Sequence, residues 1–206
     1  MKTTLITATE NPEKIIAYCA RVSSDNQENP NTSGLLKYCL KHGHWSPFEH
    51  ASVTIEIQTS RAIARQILRH RSFCFQEFSQ RYNSNLEFED VEPRRQARSN
   101  RQSSIDDLNP TTVRHFQEAK ERVERYCADA YEQALMGGVA RESARFLLPE
   151  NTMSKLYMTG SIRSWIHYID LRIKEDTQAE HREIAEECKA ILVEHMPVLK
   201  EILWQA

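Results

Sequence analysis

The chain is 206 residues long, with 40% hydrophobic and 27% charged residues, which is typical of one ordered globular domain. Its formal net charge of -2 at pH 7 excludes a protein that binds nucleic acid through its overall charge. No apolar run approaches the roughly 18 residues of a membrane span. The five scattered cysteines form no C-x-x-C pair, so we expect a protein of the reducing cytoplasm with no membrane partner.

Hydrophobic periodicity and helix-capping residues predict the elements of the first third of the chain. Asn11-Pro12-Glu13 combines a capping residue, a first-turn proline and an acidic residue, which is typical of a helix start. Val53, Ile55 and Ile57 alternate with polar residues and predict a half-buried strand of an antiparallel sheet. In chain order we predict a strand at 4–7, a helix from Pro12 to about Arg21, a helix that begins at Thr32 or Ser33 and ends at Gly43, a capping box at 46–49, and a strand at 52–59.

An arginine-rich helix is predicted next. Arg61, Arg65 and Arg69 are spaced four residues apart, so a helix would present them on one face. Ser60 would cap this helix, which we expect to end near His70. An alternative interpretation of this run is a solvated basic face followed by an aromatic core loop.

Positive charge is concentrated around this helix. Residues 61–101 hold nine arginines, no lysine and five acidic residues, which favours a small anionic ligand over a polymer. Residues 72–78 show no clear period, so we expect a loop there. The loop continues to 79–81, where a hydroxyl, backbone N–H groups and a guanidinium could cradle a phosphate.

The second half of the chain predicts a long loop followed by helices. Residues 86–109 are charged and polar, which predicts a long, mobile surface loop. Asn109-Pro110 is typical of a helix start, and Gly137-Gly138 would end that helix near Met136. We then predict a short helix at 141–148, a helix at 152–173 with a buried stripe of Met158, Ile162, Trp165, Ile169 and Ile173, and a helix from a capping box at 177–180 to about Leu203, interrupted near Pro197.

One motif is specific. Arg69-His70-Arg71 is followed, after seven residues, by Ser79. This pattern resembles the R-H-R-x7-S motif of the flavin-dependent thymidylate synthases, and three shorter blocks are similar in the same order, at 42–50, 141–145 and 163–172. The resemblance covers roughly residues 1–200. It implies an α/β fold of the α+β type, a helix-rich single domain over residues 1–206 with a small, mostly antiparallel sheet.

The resemblance also implies an activity. Members of the family methylate dUMP to dTMP, with methylenetetrahydrofolate as carbon donor, FAD as cofactor and NADPH as the reductant of the flavin. They assemble as homotetramers whose subunits share active sites. We find no serine or cysteine in a convincing activated-nucleophile context, including Cys74 in the motif loop, which suits chemistry that is carried by cofactors.

Site residues are carried over position by position from the same resemblance. Arg172 would polarise the uracil ring as a fixed cation, because arginine does not act as a base at neutral pH. The residues implied to bind dUMP are Gln66, Arg69, Glu77, Ser79, Gln80, Arg81, Arg145 and Arg172. The residues implied to bind FAD are His44, Ser46, Glu49, Arg69, His70, Arg71, Glu77, Ser161, Arg163 and His167. Asparagine is often found in the family where Ser161 and His167 stand.

Three alternatives remain open at this level. An arginine-rich RNA-binding module would stack bases on four aromatic residues, Phe73, Phe75, Phe78 and Tyr82. A metal hydrolase would use four histidines, His42, His44, His50 and His70, although the chain has no H-E-x-x-H motif, and we expect no metal. A catalytically degenerate homologue would bind flavin without methylating a nucleotide.

Overall fold

The computed structural model describes residues 1–204, so the last two positions of the predicted domain lie outside the described residues. Its strands are β1 (Lys2–Ala8), β2 (Ser52–Ser60), β3 (Cys74–Glu77), β4 (Arg95–Gln96), β5 (Ser104–Ile105) and β6 (Met153–Ser161). Its helices are α1 (Pro12–Ala20), α2 (Ser33–Lys41), α3 (Arg61–Ile67), α4 (Pro110–Met136), α5 (Arg141–Ala144), α6 (Ile162–Arg172), α7 (Ala179–His195) and α8 (Pro197–Ile202), with 3-10 turns at Ser46–His50 and Arg145–Leu147. Within residues 1–204, no helix has both the length and the apolar character needed to span a membrane.

A four-stranded antiparallel sheet in the order β1-β2-β6-β3 forms the centre of the fold. Ile55, Ile57, Leu156 and Met158 point to one face and are fully buried against the helices. The other face is polar and half-buried and includes Glu56. Because only one face is covered, the strand residues alternate in burial, and the predicted helix-rich α+β fold is confirmed.

The predicted helix at 152–173 is wrong in its first half. Residues 153–161 form β6, and only residues 162–172 are helical. Alternate residues of β6, including Leu156 and Met158, point inward with a period of two. Met158 and Ile162 are four residues apart, so the apolar spacing of a helix continues across the junction between strand and helix.

A strand also forms where the sequence predicted an aperiodic loop. Residues 74–77 form β3, which pairs with β6 at the edge of the sheet. The chain reaches this edge because Phe73 packs directly over Gly160 of β6. A Cβ atom added to Gly160 would lie 2.5 Å from Cε1 of the Phe73 ring. Glycine at 160 is therefore required by a close approach that no local sequence pattern indicates.

Several predicted helix caps do not form. Asn11 adopts a left-handed backbone with φ 48° and makes no side-chain cap, and Ser60 makes none either. Thr177 hydrogen-bonds the Leu171 carbonyl rather than capping α7. Asn109 does cap α4, because its Oδ1 accepts from the Thr112 N–H at 2.9 Å. The helices themselves begin close to where they were predicted, so tertiary contacts replace the missing caps.

The 86–109 segment has little regular structure, as predicted, yet parts of it are fixed to the core. Only the short β4–β5 pair is regular. Glu89 is 5% exposed, and its carboxylate accepts from the Thr59 hydroxyl at 3.3 Å and the Ser60 N–H at 3.2 Å. Glu89 therefore satisfies the buried N–H of Ser60, the residue before α3, while the first two N–H groups of the helix donate to the carbonyls of Thr152 and Glu150. The mobility of the segment stays a prediction.

The two central strands and the helices that follow them are arranged alike. β2 and β6 pair in register from Ser52 opposite Ser161 to Ser60 opposite Met153. Each strand ends on a serine with nearly identical backbone angles and leads directly into a helix, α3 or α6. The first helical N–H donates to the residue before the partner strand in both cases, at 2.9 Å. This local two-fold arrangement places both helices on the same face of the sheet.

Candidate active site

The turn that follows α3 meets the C-terminal end of α6 at one contact; α3 ends at Ile67, slightly before the predicted end near His70, so Arg69 lies just beyond the helix. Arg172, the last residue of α6, donates from Nε to Nε2 of His70 at 3.0 Å. Burial first, and the positive charge of Arg172 second, lower the pKa of His70 to about 4. At neutral pH His70 is therefore an uncharged acceptor whose proton lies on Nδ1. The contact fixes the Arg172 side chain without neutralising its charge.

Positive charge around this contact is not compensated. Arg69 and Arg71 are exposed on either side of His70. Within residues 1–204, neither of them nor Arg172 forms an ion pair with a carboxylate. The helix ends nearby carry partial negative charge, which favours cations at this place. Three guanidinium groups are thus available to an anionic ligand.

A second group of predicted residues lies in the loop after β3 and in the 3-10 turn that follows α5. Arg81 forms an ion pair with Glu142 at 3.2 Å, and Arg145 donates to the Glu142 carbonyl at 3.3 Å. The Ser79 hydroxyl accepts from the Arg81 N–H at 3.3 Å, while Gln80 is buried. The structure therefore brings the predicted phosphate loop beside the predicted arginine of the 141–145 block.

Glu77 lies close to this loop at the end of β3. Its carboxylate accepts from the Ser154 hydroxyl on β6 at 2.8 Å. No hydrogen bond or ion pair among residues 1–204 connects Glu77, Arg81 or Arg145 with the pair of His70 and Arg172. Within one chain, the predicted nucleotide-binding residues thus fall into separate groups.

The third group surrounds the start of α6. Glu49 accepts from the Ser161 hydroxyl at 2.5 Å and pairs with Arg163 at 3.0 Å, so three predicted flavin-binding residues are in contact. His167 lies on the same helix with its ring 4.8 Å from the ring of Trp45. His44 and Ser46 are exposed on either side of Trp45. This cluster combines charged, hydroxyl and aromatic groups at an open surface.

A buried hydrogen-bonded group was missed from the sequence. His181 of α7 is fully buried, and its ring nitrogens contact Gln66 Oε1 at 3.2 Å and the Tyr168 hydroxyl at 3.1 Å. Burial, followed by the charges of Arg172 and His70, lowers the pKa of His181 to about 3. In the sequence His181 is one histidine in a helix rich in charged residues, which does not indicate its partners on α3 and α6.

Two alternative functions lose their structural basis. Phe73 is 8% exposed in the core, and Phe75 and Phe78 are half-buried. Tyr82 alone of the four aromatic residues is open to a base, at 85% exposed, so the stacking surface expected of an RNA-binding module does not form. His42 stacks on Tyr38 with 4.0 Å between ring centroids. Among residues 1–204, no three histidine, cysteine, aspartate or glutamate residues are grouped as metal ligands, so the metal hydrolase hypothesis finds no ligand set.

Comparison with known proteins identifies relatives over nearly the whole chain. Residues 4–198 match the family described as "Thymidylate synthase complementing protein". The flavin-dependent thymidylate synthase of Synechocystis sp. is 53% identical over 192 residues, covering 93% of this chain and 89% of that protein. The probable flavin-dependent thymidylate synthase of Paramecium bursaria Chlorella virus 1 is 48% identical over 197 residues, covering 93% and 90%.

A solved structure is similar over almost the whole fold. The UMP/dUMP methylase PolB from Streptomyces cacaoi, bound with 5-Br dUMP, superposes with a TM-score of 0.86 at 26% sequence identity, covering 98% of this chain and 93% of that one. The sequence match and the structural match extend over the same elements that carry the arginine motif. The chain therefore belongs to the family of the flavin-dependent thymidylate synthases.

Proposed function

We propose that this protein is an FAD-dependent thymidylate synthase that converts dUMP to dTMP, with methylenetetrahydrofolate as carbon donor and NADPH as reductant. The observation that carries the proposal is the contact between Arg172 and His70. It holds the permanently charged guanidinium of Arg172, at the end of α6, against the motif Arg69-His70-Arg71, which follows α3. The identity with flavin-dependent thymidylate synthases supports the same assignment.

Arg172 would act on the uracil ring by electrostatics. Its Nε is occupied by His70, which leaves the two terminal nitrogens as donors. Because these donors are fixed in place before the substrate binds, they would stabilise negative charge that develops on a uracil oxygen. His70 would keep the guanidinium oriented without taking its charge, since the low pKa keeps the imidazole neutral.

The phosphate of dUMP would bind at the loop after β3. Ser79, Gln80 and Arg81 offer a hydroxyl, backbone N–H groups and a guanidinium, and Arg145 lies beside them. Arginine binds phosphate with two parallel hydrogen bonds, which fixes the nucleotide as well as attracting it. Glu77, held by Ser154, would accept a hydrogen bond from the sugar hydroxyl or from another donor of the nucleotide.

The residues fit a flavin dinucleotide. A diphosphate needs cations, and Arg69 and Arg71 are exposed and form no ion pair within residues 1–204. Aromatic rings at Trp45 and His167 and the polar contacts of Glu49 offer surfaces for the ring systems. When bound, FAD supplies the hydride chemistry, and these side chains would orient it and exclude water.

The separate groups within one chain favour a site shared between subunits. We propose the homotetramer that the resemblance implies. The long helix α4 exposes three apolar residues, with Phe116 42%, Val123 51% and Tyr126 77% exposed. Such a face is typical of an interface. We expect the enzyme in the cytoplasm, which agrees with five cysteines that form no disulfide, and we expect no nucleic-acid partner.

The visible absorption spectrum tests the proposal. Purified protein incubated with FAD and washed should retain a flavin spectrum that shifts when dUMP is added, and it should produce dTMP once NADPH and methylenetetrahydrofolate are supplied. Arg172→Ala should keep the flavin but lower kcat about 100- to 1,000-fold, as is usual for loss of one fixed electrostatic donor. Lys200→Ala, at an exposed position of α8, serves as the control. Protein that retains no flavin and shows no shift with dUMP would refute the proposal.

A further inference from the structure

A continuous chain of hydrogen bonds connects the 86–109 segment with Tyr168 of α6 by way of α7 and α3. It begins at Arg94 in the 86–109 segment, which pairs with the buried carboxylate of Glu180. Gln178 donates to Glu180 at 3.0 Å, and Gln66 of α3 donates to Gln178 at 2.7 Å. The chain continues from Gln66 to two further residues, His181 at 3.2 Å and then Tyr168 at 3.1 Å.

The charges at one end of the chain fix the direction of every bond in it. Arg94 can only donate, and Glu180 as a carboxylate can only accept. Burial alone would raise the pKa of Glu180, but hydrogen bonds from Arg94, its own backbone N–H and Gln178 outweigh burial and lower that pKa. Gln178 must therefore direct its NH2 group to Glu180 and its oxygen to Gln66.

The donors and acceptors at the buried end of the chain of hydrogen bonds, from Gln66 to Tyr168, follow in the same way. Because Gln66 uses its NH2 group on Gln178, its oxygen faces His181 and needs a donor there. His181 must then carry its proton on Nδ1, which leaves Nε2 to accept from the Tyr168 hydroxyl. Burial raises the pKa of Tyr168, so this hydroxyl keeps its proton and remains a donor.

We propose that this chain locks the side-chain amide of Gln66 in one orientation, so that the N–H left free on Nε2 is always presented to the nucleotide on the same side. His181, Gln178, Glu180 and Arg94 are then positioning residues that act through Gln66, and the inference rests on the proposed function for its nucleotide. An amide can be rotated by 180° with little change in shape. A rotated Gln66 would present an oxygen in place of its N–H.

The chemistry of dUMP explains why the orientation matters. Phosphate and uracil carbonyl oxygens are acceptors, so a fixed N–H is attracted to them and a carbonyl oxygen is repelled. An unlocked amide would spend part of its time in the wrong orientation and would bind the nucleotide less tightly. The anchor lies in the 86–109 segment, so the position of Arg94 is connected to Gln66 over three elements.

Neutron diffraction from a deuterium-exchanged crystal of the full chain tests the lock directly. We expect deuterium on Nδ1 of His181, none on its Nε2, and the ND2 group of Gln66 on the side of Gln178. Deuterium on Nε2 of His181, or a Gln66 amide with the opposite orientation, would overturn the proposal. This result does not depend on any activity, so it separates failure of the lock from failure of the proposed function.

Two substitutions at one position test its effect on the nucleotide. His181→Asn places an amide N–H near the position of Nδ1 and keeps the donor to Gln66, whereas His181→Gln reaches toward Tyr168 and removes that donor. We expect His181→Gln to raise the dUMP dissociation constant about tenfold, the effect of one lost hydrogen bond, and His181→Asn to remain close to wild type. Both should retain flavin. A purely structural role would make the two variants alike, and equal dUMP affinities would overturn the proposal.

The anchor offers a second pair of variants that does not disturb the buried histidine. Arg94→Ala removes the charge that holds Glu180, whereas Arg95→Ala removes the neighbouring arginine, which pairs with exposed Asp107 at 2.6 Å. We expect Arg94→Ala to raise KM for dUMP several-fold with a smaller change in kcat, and Arg95→Ala to change neither. An Arg94→Ala enzyme with the wild-type KM for dUMP would overturn the connection, while wild-type protein that binds no dUMP at all would overturn the proposed function.

Discussion

Replacing Gly160 by alanine should destabilise the protein by forcing a collision in its core. A Cβ atom at this position would lie 2.5 Å from Cε1 of the Phe73 ring and closer still to Cδ1, whereas carbon atoms in contact prefer about 3.5–4.0 Å. Phe73 is 8% exposed and packs edge-on against Trp165 at 4.9 Å between centroids. The ring therefore has to move by about 1 Å in a place without free space.

Overpacking of this kind costs about 1–3 kcal/mol, which corresponds to a Tm lower by about 2–12 °C for a chain of this size. Urea and thermal unfolding at a fixed protein concentration measure the change. Gly34→Ala is the matched control. Its added Cβ would meet Asn31 at an ordinary 3.5 Å within the first turn of α2, so we expect no loss, or a gain of up to about 1 kcal/mol.

A second variant identifies the cause. If Phe73 is the obstacle, the double variant Gly160→Ala/Phe73→Leu should lose less stability than the two single variants lose in sum. We expect the difference to be about 1 kcal/mol or more. Because Phe73 follows Arg69-His70-Arg71, the single variant should also bind flavin less tightly. Wild-type stability of Gly160→Ala, or strictly additive effects in the double variant, would refute the reasoning.

Three further predictions concern charge. Folding lowers the pKa of His181 from 6.5 to about 3 and that of His70 from 6.5 to about 4, so the unfolded state binds more protons than the folded state below pH 6.5. The free energy of unfolding should therefore fall as the pH drops from 6.5 toward 4, by up to about 1.4 kcal/mol per pH unit from His181 and with a smaller share from His70. Urea titrations at a series of pH values measure this change. Glu89→Ala leaves the buried N–H of Ser60 without its acceptor and should cost about 1–3 kcal/mol in the same assay. Glu49→Ala breaks an exposed pair with Arg163, so stability should change by less than about 1 kcal/mol while the flavin retained per protein falls in absorbance measurements. A flat pH profile, an unchanged Glu89→Ala protein or full flavin retention would contradict these respective predictions.

Local sequence patterns correctly predicted those helices and strands whose hydrophobic alternation or capping residues lie within the element itself. The alternation of Val53, Ile55 and Ile57 predicted β2, and Asn109-Pro110 and the glycine pair after Met136 predicted both ends of α4. Strand β6 was missed because its evidence is not local. Its partners in β2 lie about a hundred residues away, and the spacing from Met158 to Ile162 continues a helical period across the junction.

The candidate site divides in the same way. The motif Arg69-His70-Arg71 is contiguous, so the resemblance could indicate it and its flavin and nucleotide assignments, which remain predictions. His181 and Glu89 act through partners 115 and 29 positions away, and nothing in their own neighbourhoods distinguishes them from surface or core residues. Contacts of this range are decided by tertiary packing, which local composition does not specify.

The paired strand–helix units build an unsymmetrical site on a symmetrical frame. Arg71 follows Ser60 at the same spacing at which Arg172 follows Ser161, so the two arginines hold matching positions in the two sequences. The two helices differ in length, because α3 ends at Ile67 whereas α6 continues to Arg172. Of the two arginines, Arg172 is therefore the one that lies at a helix end against His70, while Arg71 is exposed beyond its helix. Two cations held so differently suit an unsymmetrical ligand better than a simple anion.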